Sequence, residues 1–466
     1  MLLGILASSH LLMAGEVVVS GYAGGNSSDM IYVYTWTDPV TWRESQIAIL
    51  KPGEDGRFSL TIDNAGVKEY VIRNGVHDNH FFIDGLNPLD LVLVPYRPLT
   101  QADKENPFFS YTSVLAASTN EGDLNNLIRR FENRYLEASG MITTIFIEGG
   151  KSTERESVLK LLEDSLDTAN IPFLDSWVKY RIAGLKLSGI NDPDMRKKVL
   201  LELEDSFDEG NRSCNSFIEE HFAHFLRDMA SGQGGSAVRE TLERGGTAAP
   251  LAELAASVTG ITEKHLLEYI VIMNLYFEYY SNYFNKEDVF RLLSWMGSNA
   301  VTIQGRLLAE TLSEKLGRFV AGAPLPGFNL AGPDGDLYSP ASWDGKFILL
   351  SFGRSDSYST ISEYNLLVRW QVQYGDYLEI VTILCDDDYE TGVLKMSDNG
   401  FKWLMLDGSG RNELSSLYEV RFFPAFFLAD HTGRIIRAPA PFPSENLMQV
   451  LQEKLQPYLL DDIRKR

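Results

Sequence analysis

The sequence predicts a multidomain α+β protein in which an N-terminal β-sandwich and a central helical array precede a C-terminal α/β domain. The chain has 466 residues, too many for one hydrophobic core. Its apolar residues recur with period two near the start and with a period of about 3.6 in the middle, and strand-like runs alternate with helical stretches at the end. We therefore place the domains at residues 16–110, 120–318 and 319–466.

Short apolar runs separated by turn residues indicate the strands of the first domain. They cover residues 17–20, 30–34, 46–50, 57–62, 70–73, 80–83 and 91–94. Strands at a spacing of roughly 8 to 12 residues are typical of an antiparallel sandwich. Residues 95–109, rich in proline and polar side chains, read as a connector.

The middle of the chain has helical periodicity. Leu124, Ile128, Phe131 and Tyr135 share one helical face, and charged side chains occupy the others. Further stretches of this kind cover residues 154–167, 172–187, 193–207, 213–229, 251–257, 262–283, 286–296 and 304–316. We therefore predict a helical array.

The C-terminal third is predicted to contain strands at residues 347–352, 377–384 and 425–428 and helices at 359–374 and 445–458. It also carries four sequence motifs, here called landmarks, one after another along the chain. The landmarks read GAPLPGFNL at 322–330, GKFILLSF at 345–352, IVTILCDDD at 380–388 and LYEVRFFPAFFLADHTG at 417–433. This order resembles the TlpA-type thiol-disulfide oxidoreductases of the thioredoxin superfamily and their AhpC/TSA-like peroxiredoxin relatives. The resemblance implies a thioredoxin-like α/β domain with Pro424 as the cis-proline beside the active site. The peptide bond before a proline is the one type for which the cis form is only slightly less stable than trans.

The family's two redox cysteines are absent from this chain. Where the family has Trp-Cys-x-x-Cys, the sequence has Ser357 and Thr360, although the acidic residue that follows is present as Glu363. A hydroxyl group forms no disulfide and does not ionise near neutral pH without a neighbouring base. We therefore expect no catalytic residue, no cofactor and no metal here. The predicted binding surface comprises Ser357, Tyr358, Ser359, Thr360, Phe423 and Pro424.

Two functions from different classes remain open. The favoured one is a redox-inactive, exported thioredoxin-like module that binds a protein or peptide partner, because the docking surface is retained while the nucleophile is missing. The alternative is an enzyme related to the oxidoreductases that uses a displaced Cys385 or residues not recognised from the sequence. The fold alone does not decide between the two.

The first 15 residues and the net charge bear on location and partners. Residues 1–15 form an apolar segment that ends in small residues, as a secretion signal does, although no basic residue precedes it and a buried first element is the alternative. We expect a periplasmic or otherwise exported protein. No later stretch has the length of a membrane span. The net charge of -22 repels phosphate backbones, so nucleic acid is not an expected partner.

The two cysteines and two short polar segments are predicted to have structural and not catalytic or metal-binding roles. Cys214 and Cys385 lie far apart in sequence, and we expect each to be buried rather than joined in a disulfide. Residues 77–80, with the sequence HDNH, resemble a short metal clip but are more easily explained as a turn between strands. Residues 386–388, three consecutive aspartates, are expected to be solvated.

A hydrolase is also considered for the C-terminal domain. Ser357 would be the nucleophile and His431 the base, with Asp430 or Asp388 as the acid. The sequence lacks the Gly-x-Ser-x-Gly elbow, and nothing in it links Ser357 to His431.

Overall fold

A computed structural model divides the chain into two compact units, Met1–Thr311 and Leu312–Arg466. Each unit mixes helices with β-sheets. The described residues are 15–23, 30–100, 102–103, 106, 109–164, 171–190, 192–232, 235–243, 247–281, 283–410, 412–420 and 422–465. The predicted signal segment therefore lies outside the described residues, except for Gly15.

Two β-sheets of the N-terminal unit enclose one apolar core. Their strands are β1 (Gly15–Tyr22), β2 (Ile31–Trp36), β3 (Glu44–Leu50), β4 (Arg57–Asn64), β5 (Lys68–Asn74), β6 (His77–Ile83), β7 (Leu89–Val92), β8 (Thr112–Leu115) and β9 (Ala117–Ser118). The strand orders are β4-β1-β7-β9 and β3-β2-β5-β6-β8. Alternate side chains of both sheets, such as Val17 and Val19 of β1 and Tyr70 and Ile72 of β5, meet in the core.

The sandwich differs from the predicted one in two respects. Strand β1 runs parallel to β7, and β6 runs parallel to β8, so the pairing is not wholly antiparallel. Strands β8 and β9 also lie beyond residue 110, where the sequence predicted no strand. Strand β8 is an outer strand without an alternation of buried and exposed residues, so it has no period-two signal.

Helices follow the sandwich in the same compact unit, and the last of them continues past the end of this unit at Thr311. They are α1 (Leu124–Ile147), α2 (Ser152–Asp164), α3 (Pro172–Leu187), α4 (Pro193–Leu203), α5 (Arg212–Phe222), α6 (Phe225–Ser231), α7 (Gly235–Glu243), α8 (Ala249–Thr259), α9 (Lys264–Ser281), α10 (Lys286–Asn299) and α11 (Ile303–Gly317). The predicted stretch 213–229 is divided into two helices, and α7 was not predicted. Among the described residues, no helix is both long and apolar enough to span a bilayer.

Helices α1 and α3 pack on the outer face of the second sheet. The ring of Phe82 on β6 lies 5.5 Å from those of both Phe173 and Trp177. Asn125 of α1 accepts a hydrogen bond from the Phe82 backbone nitrogen at 2.7 Å and donates to its carbonyl at 2.9 Å. The sandwich and the first helices therefore share a buried layer.

The C-terminal unit is built on one five-stranded sheet. Its elements are β10 (Leu330–Ala331), β11 (Leu337–Tyr338), β12 (Phe347–Gly353), α12 (Tyr358–Tyr374), β13 (Leu378–Leu384), α13 (Tyr389–Asp398), β14 (Leu404–Asp407), α14 (Asn412–Leu417), β15 (Ala425–Ala429), β16 (Ile435–Ala440) and α15 (Leu447–Lys465). The sheet order is β14-β13-β12-β15-β16. Strands β12 to β14 are parallel, whereas β15 and β16 are antiparallel to their neighbours. A βαβ unit followed by an antiparallel pair and a final helix is a thioredoxin-like fold.

Apolar side chains cover both faces of this sheet. One face packs against α12 through Tyr364 and Leu367. The other packs against the segment before β10 and against Tyr418. Helix α12 therefore starts at one end of the central strand and runs along a single face of the sheet.

Candidate functional site

The N-cap and first turn of α12 contain Ser357 and Thr360, the residues that the sequence analysis aligned with the family's two cysteines. Ser357 is the N-cap of the helix, and its Oγ accepts a hydrogen bond from the Thr360 backbone nitrogen at 3.3 Å. Thr360 is fully buried, and its hydroxyl has no hydrogen-bond partner among the described residues. The Ser357 hydroxyl thus satisfies an otherwise unpaired N–H group of the helix, which is the ordinary role of an N-cap serine.

Pro424 lies at the same end of the sheet as this turn. The Phe423–Pro424 peptide bond is cis. Phe352 pairs with Ala425, so Pro424 lies beside Gly353 at the end of β12. A Cβ atom added to Gly353 would approach Thr360 Cγ2 to 2.9 Å. The structure therefore brings the two halves of the predicted binding surface together.

The exposed part of this surface comprises Tyr358 and Ser359. Tyr358 is 87% exposed, whereas Thr360 and Pro424 are buried. Phe422, which the sequence analysis did not select, is 56% exposed, and its ring lies 6.2 Å from that of Phe442. Its position directly before Phe423 in an aromatic run was the available signal.

Glu363, the acidic residue retained from the family pattern, faces a different segment. Its carboxylate accepts hydrogen bonds from the backbone nitrogen of Ser444 at 2.9 Å and from the Ser444 hydroxyl at 2.6 Å. Both contacts are exposed to solvent. The carboxylate therefore holds a loop in place and contacts no thiol.

The loop before α12 is fixed by two carboxylates. Arg354 pairs with Asp356 at 3.1 Å, and this hydrogen-bonded guanidinium lowers the pKa of Asp356. Asp386 accepts hydrogen bonds from the backbone nitrogen and the hydroxyl of Ser355, at 2.9 and 2.5 Å. The expectation that residues 386–388 are simply solvated was wrong, because Asp386 is buried and Asp388 is the N-cap of α13.

Neither cysteine is placed to replace the missing redox pair. Both are free, and burial raises the pKa of each thiol to about 12. The Cys385 side chain packs with Ile383 on the face of the sheet opposite to α12, and its Sγ donates to the Ile383 carbonyl at 3.7 Å. Because Tyr364 of α12 packs on the other face, the sheet separates this thiol from the core side of that helix.

The hydrolase considered for the C-terminal domain is wrong on geometric grounds. The carbonyl of His431 accepts a hydrogen bond from Gly345, just before β12 begins. Ser357 follows the other end of β12, and its seven residues span roughly 20 Å at about 3.3 Å per residue. His431 is therefore too far away to act as a base for Ser357.

Residues 77–80 form part of a strand and not a turn, so that interpretation was also wrong. Asp78 pairs with Arg73 at 2.7 Å, and His80 bonds to Glu69 and Ser113. Within the described ranges, no group of three or more His, Cys, Asp or Glu side chains is placed to hold a metal ion.

Comparisons with known proteins find likenesses among solved structures alone. No protein-family model and no curated protein sequence matches the chain. The thioredoxin domain of a thiol-disulfide oxidoreductase from Bacteroides vulgatus is 17% identical, with 29% of this chain and 96% of that chain covered and a TM-score of 0.27. A thiol-disulfide oxidoreductase from Bacteroides fragilis is 20% identical, with 28% and 98% covered and a TM-score of 0.26. A thiol:disulfide interchange protein from a Bacteroides species is 17% identical, with 29% and 90% covered and a TM-score of 0.27.

Proposed function

We propose that this chain is an exported, redox-inactive thioredoxin-like protein that binds an extended segment of another protein at the surface around Tyr358 and Phe422. The observation that carries the proposal is the use of the Ser357 hydroxyl as a helix cap, with no thiol and no base among the described residues in hydrogen-bond contact with it. Function depends on the residues of a site and not on its fold, so a thioredoxin-like domain without a nucleophile can still bind a partner but cannot exchange disulfides.

Aromatic exposure supports the binding role. Large apolar side chains are costly to leave in water, and aromatic side chains are enriched at the centres of protein interfaces. Tyr358 begins α12 and Phe422 lies two residues before Pro424, and the pairing of β12 with β15 brings these two segments to the same end of the sheet. An extended peptide placed there would contact both rings and the backbone before β15.

The redox half of the proposal is tested by insulin reduction. The protein should show none, and the double variant Ser357→Cys/Thr360→Cys should gain activity, because a thiol at a helix N-terminus has a lowered pKa. The matched control is Asp388→Cys/Thr391→Cys, which creates the same spacing at the N-cap of α13, a helix that follows β13 instead of β12. Activity of the unmodified protein that is lost in Cys385→Ser would overturn the proposal in favour of the enzyme alternative.

The binding half is tested by site-specific photocrosslinking in the cells that make the protein. A photoreactive amino acid at position 358 should give a defined adduct with one partner. The same amino acid at Val372, which is 86% exposed on the last turns of α12, is the control. Adducts of equal yield at both positions, or an adduct at 358 that survives Phe422→Asp, would contradict a specific surface.

Export is tested by mass spectrometry of the protein from its native cells. A cleaved product should begin near Gly15 or Glu16 and should appear in a soluble envelope fraction. An intact N-terminal methionine on a cytoplasmic product would overturn this part of the proposal and leave the rest unchanged.

A further inference from the structure

The N-terminal unit contains a chain of three hydrogen-bonded side chains, here called the Ser113 relay, formed by Ser113, His80 and Glu69. Ser113 Oγ lies 2.6 Å from His80 Nε2. His80 Nδ1 lies 2.7 Å from Glu69 Oε1. An ionised carboxylate accepts only, so Nδ1 carries the ring proton and Nε2 accepts from the serine hydroxyl.

Strand pairing brings the three residues together. Glu69, His80 and Ser113 lie on β5, β6 and β8, which are neighbours in the sheet. His80 faces Val71 across one strand pair and Leu115 across the other, so its side chain lies on the same face of the sheet as Glu69 and Ser113. The sandwich core uses the opposite face, so the relay lies on the side that the helices cover.

Burial increases from one end of the relay to the other. Ser113 is exposed, whereas His80 and Glu69 are only 8% and 4% exposed. The second carboxylate oxygen of Glu69 accepts from Arg212 Nε at 3.1 Å. Burial opposes ionisation of Glu69, but the hydrogen bond from His80 and the charge of Arg212 prevail and lower its pKa. The ionised carboxylate of Glu69 is therefore the hydrogen-bond acceptor for His80 Nδ1.

Tryptophan rings hold this arrangement in place. Trp36 stacks on the His80 ring with centroids 6.3 Å apart. The Arg212 guanidinium lies 4.8 Å from the Trp36 ring and 4.3 Å from that of Trp42. The imidazole and the guanidinium are therefore positioned by packing as well as by Glu69.

The relay opens onto a cavity of about 500 Å³. Leu115, Leu136 and Trp177 give this cavity an apolar wall. Arg181 in the same wall is paired with Glu132 at 2.7 Å. Arg129 makes one hydrogen bond, of 3.4 Å, to Asn126 and no ion pair within the described residues. The cavity thus offers an apolar surface beside a positive charge that no described carboxylate neutralises.

The backbone of β8 supplies donors for a developing negative charge. Thr112 and Ala116 donate to carbonyls of Val76 and His80, so the N–H groups that point toward β6 belong to alternate residues. The N–H groups of Ser113 and Leu115 therefore point to the outer edge of the strand. A donor on the nucleophile's own residue is well placed to stabilise an oxyanion.

We propose that the Ser113 relay is a hydrolytic site for carboxylic esters whose acyl group is apolar and ends in an anionic group. Ser113 Oγ attacks the acyl carbon while its proton passes to His80 Nε2. The bond from that carbon to the leaving oxygen then breaks, and His80 returns the proton to this oxygen, which leaves as an alcohol. Water repeats the sequence on the acyl-serine, releases the carboxylic acid and restores the hydroxyl.

The nucleophile is tested with a fluorophosphonate reagent on the full-length protein. Peptide mass spectrometry should place the adduct on Ser113, and Ser113→Ala should abolish it. Ser216→Ala is the matched control, because Ser216 is an exposed serine of the same cavity that bonds to no histidine in the part of the chain that the structure describes. His80→Gln, shown to be folded by its thermal unfolding, should slow the labelling about 100-fold or more, the usual contribution of a general base. Absence of the adduct, or an adduct unchanged in Ser113→Ala, would overturn the proposal.

The substrate class is tested by comparing 4-nitrophenyl hemisuccinate with 4-nitrophenyl butyrate. The hemisuccinate should be cleaved about 3- to 5-fold faster, since an ion pair with an exposed arginine such as Arg129 is a modest contribution. Arg129→Ala should remove this preference, and Arg130→Ala, the neighbouring exposed arginine, should keep it. A preference that survives Arg129→Ala would show that the anionic group is not recognised at this wall.

Discussion

Two serine hydroxyls of this chain occupy contrasting settings, one in each unit. Ser357 accepts a hydrogen bond from the first turn of α12, whereas Ser113 is exposed beside a histidine that is backed by a buried carboxylate. A family resemblance pointed to the first hydroxyl, although its neighbours leave it without a base. What separates the two is the set of side chains within hydrogen-bond reach, which the fold class does not specify.

The largest expected effect is on stability at the buried end of the Ser113 relay. Glu69→Gln should lower the free energy of unfolding by about 3 kcal/mol, because Arg212 and His80 lose their shared charged partner. The matched control is Glu379→Gln, which removes a half-exposed ion pair with Lys346 and should cost at most about 1 kcal/mol. Urea denaturation measures both. Equal losses would show that burial of Glu69 adds nothing to the pair.

Acid should destabilise the protein in part through the same carboxylate. The pKa of Glu69 in the folded state is lowered from 4.5, so the unfolded chain binds its proton first as the pH falls. The stabilisation from Glu69 is therefore complete above pH 4.5 and is lost below it. The free energy of unfolding, measured between neutral pH and the acid limit, should fall less steeply in Glu69→Gln. Identical pH dependence in the variant would contradict the shift.

A smaller effect should separate the two serines. Ser357→Ala should cost about 1 kcal/mol because α12 loses its N-cap, and Ser357→Asp should retain most of the stability. Ser113→Ala should stay within about 0.5 kcal/mol, since its side chain is exposed. Chemical denaturation of the three variants gives this order. A larger loss in Ser113→Ala than in Ser357→Ala would mean that the relay is structural rather than chemical.

Much of the C-terminal fold could be predicted from the sequence, because the patterns that indicate its strands and helices are local. Buried strands such as β12 and a capped helix such as α12 appear as apolar runs and helical periods next to each other in the chain. Strands β14 and β16 were missed, because β14 has only four residues and β16 alternates imperfectly between buried and exposed side chains. Short outer strands carry little period-two signal.

The Ser113 relay was not readable from the sequence, because it depends on pairing between distant segments. Glu69 and His80 are 11 residues apart, and Ser113 follows His80 by 33. Residues 77–80 are a polar group for which a turn was predicted, and a metal site there would have needed ligands close in sequence. Only the parallel pairing of β6 with β8 shows that the partner of His80 is a serine.

The smallest expected effect is the absence of a thiol reaction, which would exclude the two cysteines as nucleophiles and leave only the two serine hydroxyls to compare. With a pKa of about 12 for both Cys214 and Cys385, about one thiol in ten thousand is ionised at pH 8. A disulfide reagent such as DTNB should therefore release no colour from the native protein within minutes. In guanidinium chloride it should titrate both of the chain's two cysteines.

The variant Ser357→Cys should add one rapidly reacting thiol per chain in the native state, because the new thiol lies at a helix N-terminus and is partly exposed. A rapid reaction of DTNB with the native protein that is lost in Cys385→Ser would instead show that Cys385 is reactive. The comparison of Ser113 with Ser357 would then leave out the reactive nucleophile of the C-terminal unit.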